Sequence, residues 1–266
     1  MGLTRHLVGC CAAALFVPPA LCAPTTDWAA TGESWSYEAT PYLHAAGLEG
    51  TLGAHGVTTH TDLSFGDVLS KLDLAFEGAF LARQGPVSLQ MDLEYFRLTD
   101  DAERSVTGPL GRATVLGKLD ATAKLWILQG NAGYRVLDGK TKVDLIGGLR
   151  YTRLDADLDL HGTLSIGDSV FGASRKLSGS QDWVDAVVGA HIFHPLSDAV
   201  SLMGYVDAGG GGSDHTWQAL AGVNWQFAKG YTLKLGYREL SWDYSHSGVV
   251  WDMKLHGPYV GLGIRF

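Results

Sequence analysis

The segment Pro258 to Phe266 alternates without a break. Val260, Leu262, Ile264 and Phe266 fall on one parity, and Tyr259, Gly261, Gly263 and Arg265 on the other. Successive side chains of a strand point to opposite faces, so this stretch has an apolar face and a small or polar one. The same period of two recurs along the chain. Val184, Ala186, Val188, Ala190 and Ile192 alternate with Asp185, Val187, Gly189 and His191, and residues 217–227 and 231–237 behave likewise. Soluble strands have a modal length of only about 5–6 residues, whereas strands that cross a bilayer need about 9–11. Beyond residue 23 no stretch reaches the roughly 18 consecutive apolar residues of a spanning helix. Strands in lipid must close on themselves, because an open edge leaves backbone groups unpaired. The expected fold is all-β: an antiparallel transmembrane up-and-down β-barrel.

Composition agrees. Charged residues are 18% of the chain and Gly contributes 35 of 266 positions, against about 25% and 7% in soluble domains. That excludes a disordered, charge-rich chain. A net charge of −8 argues against a nucleic-acid partner, whose phosphates need a basic surface. The cysteines, Cys10, Cys11 and Cys22, all fall in the first 22 residues. There Arg5 precedes an apolar run from Leu7 to Phe16, then Pro18, Pro19 and the small residues around Cys22, the layout of a secretory signal peptide. The expected organisation is a signal peptide over 1–22, a short periplasmic segment over 23–33, and a barrel over 34–266. Bulky Leu21 disfavours lipidation of Cys22.

Turn residues divide the barrel region into ten strands, near 34–48, 58–83, 87–100, 112–136, 141–160, 181–194, 200–209, 213–227, 231–245 and 249–266; eight or twelve also satisfy the pattern. Short Gly/Pro/Asp turns at 84–86, 138–140, 195–198 and 228–230 alternate with longer connections at 100–112, 162–181, 209–214 and 245–248, as expected of short periplasmic turns and long outer loops. The stretch 49–72 breaks the pattern: Ser64 to Lys71 reads as a helical turn capped by Ser64, placed in the first outer loop or concealing an extra hairpin. Aromatic residues near strand ends, Trp35, Tyr134, Phe227, Tyr231 and Phe266, suit an interfacial girdle. In several strands the apolar parity switches partway: Leu149 and Tyr151 give way to Leu154 and Ala156, and Tyr237 to Leu240 and Trp242. Either a β-bulge sits at each switch or the outer segment rises beyond lipid, the reading adopted for 154–160. Pro41 and Pro258 cannot donate to a ladder, which points to an irregular seam between first and last strands.

In Trp35 to Leu43, Gly133 to Gly139, Asp182 to Gly189 and Thr216 to Val223, the chain resembles a group of uncharacterised outer-membrane β-barrel proteins of Gram-negative bacteria, and more distantly the small OmpA-like and OmpW-like barrels. The likeness spans nearly all of 34–266. It implies an outer-membrane location, outer-membrane lipid as surroundings, and engagement of the barrel insertion machinery through the C-terminal strand, with Tyr259, Leu262, Ile264 and Phe266 as the assembly signal. It brings no catalytic residue.

The inward parity collects Glu38, Glu77, Asp92, Glu94, Asp144, Arg150, Asp185, Lys234, Arg238 and Arg265 as lumen-lining candidates. Both signs are present, which favours a narrow, ion-paired interior in a structural barrel; the alternative is a small porin-like channel. A barrel enzyme is disfavoured, since neither G-x-S-x-G nor H-E-x-x-H occurs. No cofactor or metal is expected. Asp155, Asp157 and Asp159 share a face but lack the Gly and distal Glu of a calcium loop.

Overall fold

The computed structural model describes residues 34–54, 57–107, 113–166 and 169–266. The expected signal peptide and the segment 23–33 lie outside them. In chain order the elements are β1 (Ser36–His44), β2 (Gly47–Ala54), β3 (Val57–Leu63), α1 (Phe65–Lys71), β4 (Leu72–Gln84), β5 (Val87–Thr107), β6 (Ala113–Asp138), β7 (Lys142–Ile166), β8 (Ser169–Pro195), β9 (Val200–Gly211), β10 (His215–Ala228), β11 (Tyr231–His246) and β12 (Val249–Arg265). Neighbours pair antiparallel in the order β1, β4 through β12, and β12 returns to β1, so ten strands close a barrel. Closure removes the sheet edges that lipid could not satisfy. Phe266 completes it: its N–H donates to the Tyr37 carbonyl at 3.1 Å, and its own carbonyl accepts from the Tyr37 N–H at 3.3 Å.

β2 is the upward continuation of β1. The β1–β12 register, from Glu38↔Arg265 to His44↔Tyr259, resumes unshifted as Gly47↔His256 through Ala54↔Val249. At the join the Ala45 N–H donates to the Pro258 carbonyl at 2.8 Å. On its other edge the strand changes partner. The β1–β4 ladder ends at Pro41↔Gly78, and above it β2 pairs with β3. The wall is therefore split between β1 and the upper part of β4, Leu72 to Glu77. The break thus lies between β1 and β4, just above Pro41, and not between the first and last strands as expected, whose register passes both prolines unshifted.

The helix α1 connects β3 to β4 and packs on β2, β3 and β5. Ser64 caps it: its hydroxyl accepts from the Asp67 N–H at 3.3 Å, and Asp67 accepts from the Ser64 N–H at 3.0 Å. This capping box stops β3 from running on into β4. The single strand expected over 58–83 is thus β3, α1 and β4, and the weak stretch holds both the helical turn and the extra hairpin.

Interior polarity inverts along the strands. In the lower part of β6, β7 and β11, Gln129, Asn131, Arg135, Asp144, Arg150 and Arg238 point inward and are buried, while Leu128, Tyr134, Leu145, Leu149, Leu235 and Tyr237 are exposed outside. Higher up, Leu125, Ile127, Leu240, Trp242 and Tyr244 are the buried inward residues. There the outer surface carries ion pairs such as Arg153–Asp155 at 2.9 Å and Lys254–Glu239 at 3.4 Å. The ladders run through both switches unshifted, from Asp144↔Arg135 to Ile166↔Ala113 and from Tyr231↔Ile264 to His246↔Val249. No bulge is present at either. The strands leave the lipid and become the wall of a water-exposed barrel, whose apolar residues belong inside.

Two expected loops are largely strand. β5 continues to Thr107, and β7 and β8 extend to Ile166 and Ser169, so most of the Gly/Ser-rich connection over 162–181 is a hairpin. Residues 171–180 are exposed on both faces, which removes the alternation that marks a strand. The glycines expected to form the 209–214 loop mostly belong to β9. A Cβ at Gly209 would fall 1.9 Å from the Ala186 carbonyl oxygen, so only Gly permits that approach of β9 to β8.

Candidate functional site: an ion-paired lumen beneath an apolar chamber

Inside the lower barrel, charged side chains stand in layers. Nearest the short turns, Asp144 holds both Arg83 and Arg135, the latter with Nε at 2.7 Å. Glu38 pairs with Lys234, whose Nζ also donates to Thr40 at 3.2 Å, and Arg265 stands 3.9 Å away. Arg150 binds Asp207 at 2.6 and 2.8 Å, donates to Thr216 at 2.7 Å, and shares Gln129 as acceptor. Gln129 and the Tyr205 hydroxyl in turn donate to Asp207, at 2.8 and 2.6 Å. Above, Arg238 reaches Glu94 at 2.6 Å and Asp92 at 2.8 Å, and donates to the Tyr42 hydroxyl and Gln218. Each buried charge here meets an opposite one, which offsets its desolvation. The space left among these groups is a void of about 150 Å³.

All ten lumen candidates point into the barrel. Seven are buried, and Asp92, Lys234 and Arg265 are half-buried. Asp185 and Glu77 accept from backbone groups, Asp185 from the Ser213 N–H and Glu77 from the His44 N–H, both at 2.7 Å. The interior also contains Arg83, Arg135, Asp207 and Gln129, which the candidate set omits. Parity alone would have found them: Arg83 shares the face of Glu77, Arg135 that of Asn131, and Asp207 that of Tyr205. The four proposed signal residues do not share a face. Tyr259 is buried inside, Leu262 and Ile264 lie on the outer parity, and Phe266 is exposed. Tyr259 covers a pair of facing glycines, Gly222 and Gly236; a Cβ at Gly236 would meet its ring at 2.5 Å.

Above Arg238 the interior changes character. A chamber of about 760 Å³ is bounded by inward residues such as Leu48, Phe96, Leu125, Trp251 and Leu255, and by Val68 of α1. Its lining also includes Leu43 and Val260, which face the lipid. The chamber therefore passes through the wall at the split between β1 and β4. His44 and Glu77 lie on its floor, joined where the His44 N–H donates to Glu77 at 2.7 Å. That bond replaces a missing rung of the β1–β4 ladder.

On the outer surface, Asp155, Asp157 and Asp159 each face a cation: Arg153 at 2.9 Å, Lys124 at 3.8 Å and Lys176 at 3.0 Å. They act as an ion-paired strand edge. Aromatic side chains ring the lower barrel, where Tyr37 stacks on Phe80 and on Phe266 at about 6 Å between ring centres.

A closed antiparallel barrel with an apolar outer belt and a polar interior defines an outer-membrane type of β-barrel. Its fold is similar to that of the outer membrane protease OmpT from Escherichia coli, at 10% identity and a TM-score of 0.54, over 89% of this chain and 98% of that one. The translocator domain of the autotransporter NalP from Neisseria meningitidis matches at 16% identity and a TM-score of 0.44, over 89% and 90% of the two chains. Ail, the attachment invasion locus protein of Yersinia pestis, matches at 13% and 0.37, over 88% and 100%. No protein-family model and no curated sequence matches the chain. The likeness is one of fold, and no activity passes with it.

Proposed function

We propose that this protein resides in the outer membrane as a barrel blocked at its lower half, and that it binds an apolar small molecule in the chamber above. The observation that carries this reading is the chamber itself: about 760 Å³ of apolar-lined space over an ion-paired floor. Small-molecule sites span about 300–1,000 Å³ and are mostly apolar with a few placed polar groups. The split beside Leu43 gives such a molecule a path from the lipid, so it need not cross water. The floor argues against a general porin, because a solute would have to displace Arg150, Asp207, Arg238 and Glu94 from their partners.

Two measurements test it. The barrel refolded in detergent should bind an apolar fluorescent probe such as phenylnaphthylamine, and Ala123→Phe, which fills the chamber, should weaken binding at least tenfold. In planar bilayers, conductance should stay below that of a general porin. Arg238→Glu, which removes the cation shared by Asp92 and Glu94 and puts a further carboxylate in its place, should lower stability and leave conductance low. Probe binding indifferent to Ala123→Phe would refute the chamber. Large wild-type channels whose cation preference rises with Arg238→Glu, at unchanged stability, would restore the porin reading.

A further inference from the structure

His44 and Glu77 of the chamber floor meet Glu94, the ladder partner of Glu77 on β5, with 6%, 4% and 0% of their surface exposed. One ligand atom from each lies within 4.8 Å of the others. Both ring nitrogens of His44 and Oε1 of Glu77 are buried without a hydrogen-bond partner. Unsatisfied buried polar atoms are costly, and one imidazole nitrogen of His44 lies close enough to a Glu77 oxygen for the two to share a partner.

Charge asks for the same thing. Asp92 and Glu94 share a single guanidinium, that of Arg238, and Glu77, the ladder partner of Glu94, has no salt bridge among the described residues. The neighbouring cations are committed elsewhere, Arg150 to Asp207 and Lys234 to Glu38. With all three carboxylates ionised, two negative charges would be left in a low-dielectric interior, and one divalent ion would offset them. Each carboxylate is also held by one oxygen: Glu77 by the His44 N–H at 2.7 Å, Glu94 by Arg238 at 2.6 Å. Fixing one oxygen of a ligating carboxylate orients the other toward a metal.

We propose that His44, Glu77 and Glu94 bind a divalent first-row cation of the zinc class. One imidazole and two carboxylates suit such an ion, whereas calcium takes six to eight oxygens. Bonds of about 2.0–2.2 Å require the three ligand atoms to close in on one another by about 1 Å, and three protein ligands leave a fourth position open toward the chamber. The site stands on these three residues and does not depend on an apolar molecule occupying the space above.

The test uses the full barrel, refolded in detergent and stripped with chelator. It should take up one equivalent of Zn²⁺ by equilibrium dialysis. Co²⁺ in its place should give the intense visible absorption of a four-coordinate site. Glu77→Gln, which keeps size and shape, and His44→Ala should each weaken Zn²⁺ binding at least about 100-fold, since even outer groups of metal sites contribute 10–100-fold. Loss of the two exposed rim histidines, His215 and His246, should leave binding unchanged. Uptake that survives Glu77→Gln, or that disappears with the rim histidines, overturns the site. So does a wild-type barrel that takes up no Zn²⁺, whatever the stability of Glu77→Gln.

Discussion

Arg150 on β7 and Asp207 on β9 reach past β8 to form a fully buried ion pair, with guanidinium–carboxylate contacts of 2.6 and 2.8 Å. The intervening strand permits this because Gly189, opposite Asp207 in the ladder, has no side chain to fill the gap: a Cβ there would fall 2.8 Å from the Asp207 Cβ. The pair and its acceptors fill the middle of the lumen.

Asp207→Ala should cost about 3–5 kcal/mol, because it strands a buried guanidinium. The double replacement Arg150→Met with Asp207→Leu should recover most of that loss, since no charge is then left unpaired. Urea midpoints for folding into lipid vesicles measure both. A double variant no more stable than Asp207→Ala would show that the pair is not isolated as described.

The polarity inversion predicts opposite tolerance at two outward positions of β8. Val188 faces lipid, and Val188→Arg should cost about 2–4 kcal/mol. Ser178 lies ten residues earlier on the same face, beyond the lipid and opposite Asp157. Ser178→Arg should change stability by less than about 0.5 kcal/mol. Equal losses would place the upper strands inside the bilayer.

The capping box of α1 should weaken in acid. Hydrogen bonds from the Ser64 hydroxyl and N–H hold the Asp67 carboxyl below its usual value of 3.8. A depressed value in the folded state means the stabilisation is complete above the unfolded carboxylate range and is lost as pH falls through the folded value. Protection of the Val68 amide, taken relative to its intrinsic exchange rate, should therefore fall below about pH 4, and Asp67→Asn should remove that fall. A protection factor at Val68 that does not change with pH in the wild type would show that the cap does not hold the helix.

Phe266→Asp should slow assembly in cells more than it lowers stability once folded. The ring is exposed and, among the described residues, stacks only on Tyr37, while its backbone bonds survive the change. The readout is the fraction of heat-modifiable, folded barrel in the membrane fraction, set beside the urea midpoint of the purified variant. Assembly at the wild-type rate would remove the C-terminal residue from the signal.

The barrel and most of its interior charges were legible in the sequence, while the number ten was one of three that the turn pattern allowed until closure selected it. Strand periodicity is local: Arg238 and Glu94 lie on the inward parity whatever their neighbours do, and Ser64 with Asp67 announces a helix within four residues. Which charge meets which was decided only by closure. Arg150 could not be assigned to Asp207, 57 positions away, until β7, β8 and β9 were in register. The chamber was hidden for a related reason. Leu154 and Leu240 look like displaced lipid-facing residues, because alternation records a change of side without recording which side is wet. Their inward direction follows from an unbroken ladder, and the opening beside Leu43 from the exchange of β4 for β3 as the partner of one edge. Both are properties of strand pairing over long separations, which short-range pattern does not encode.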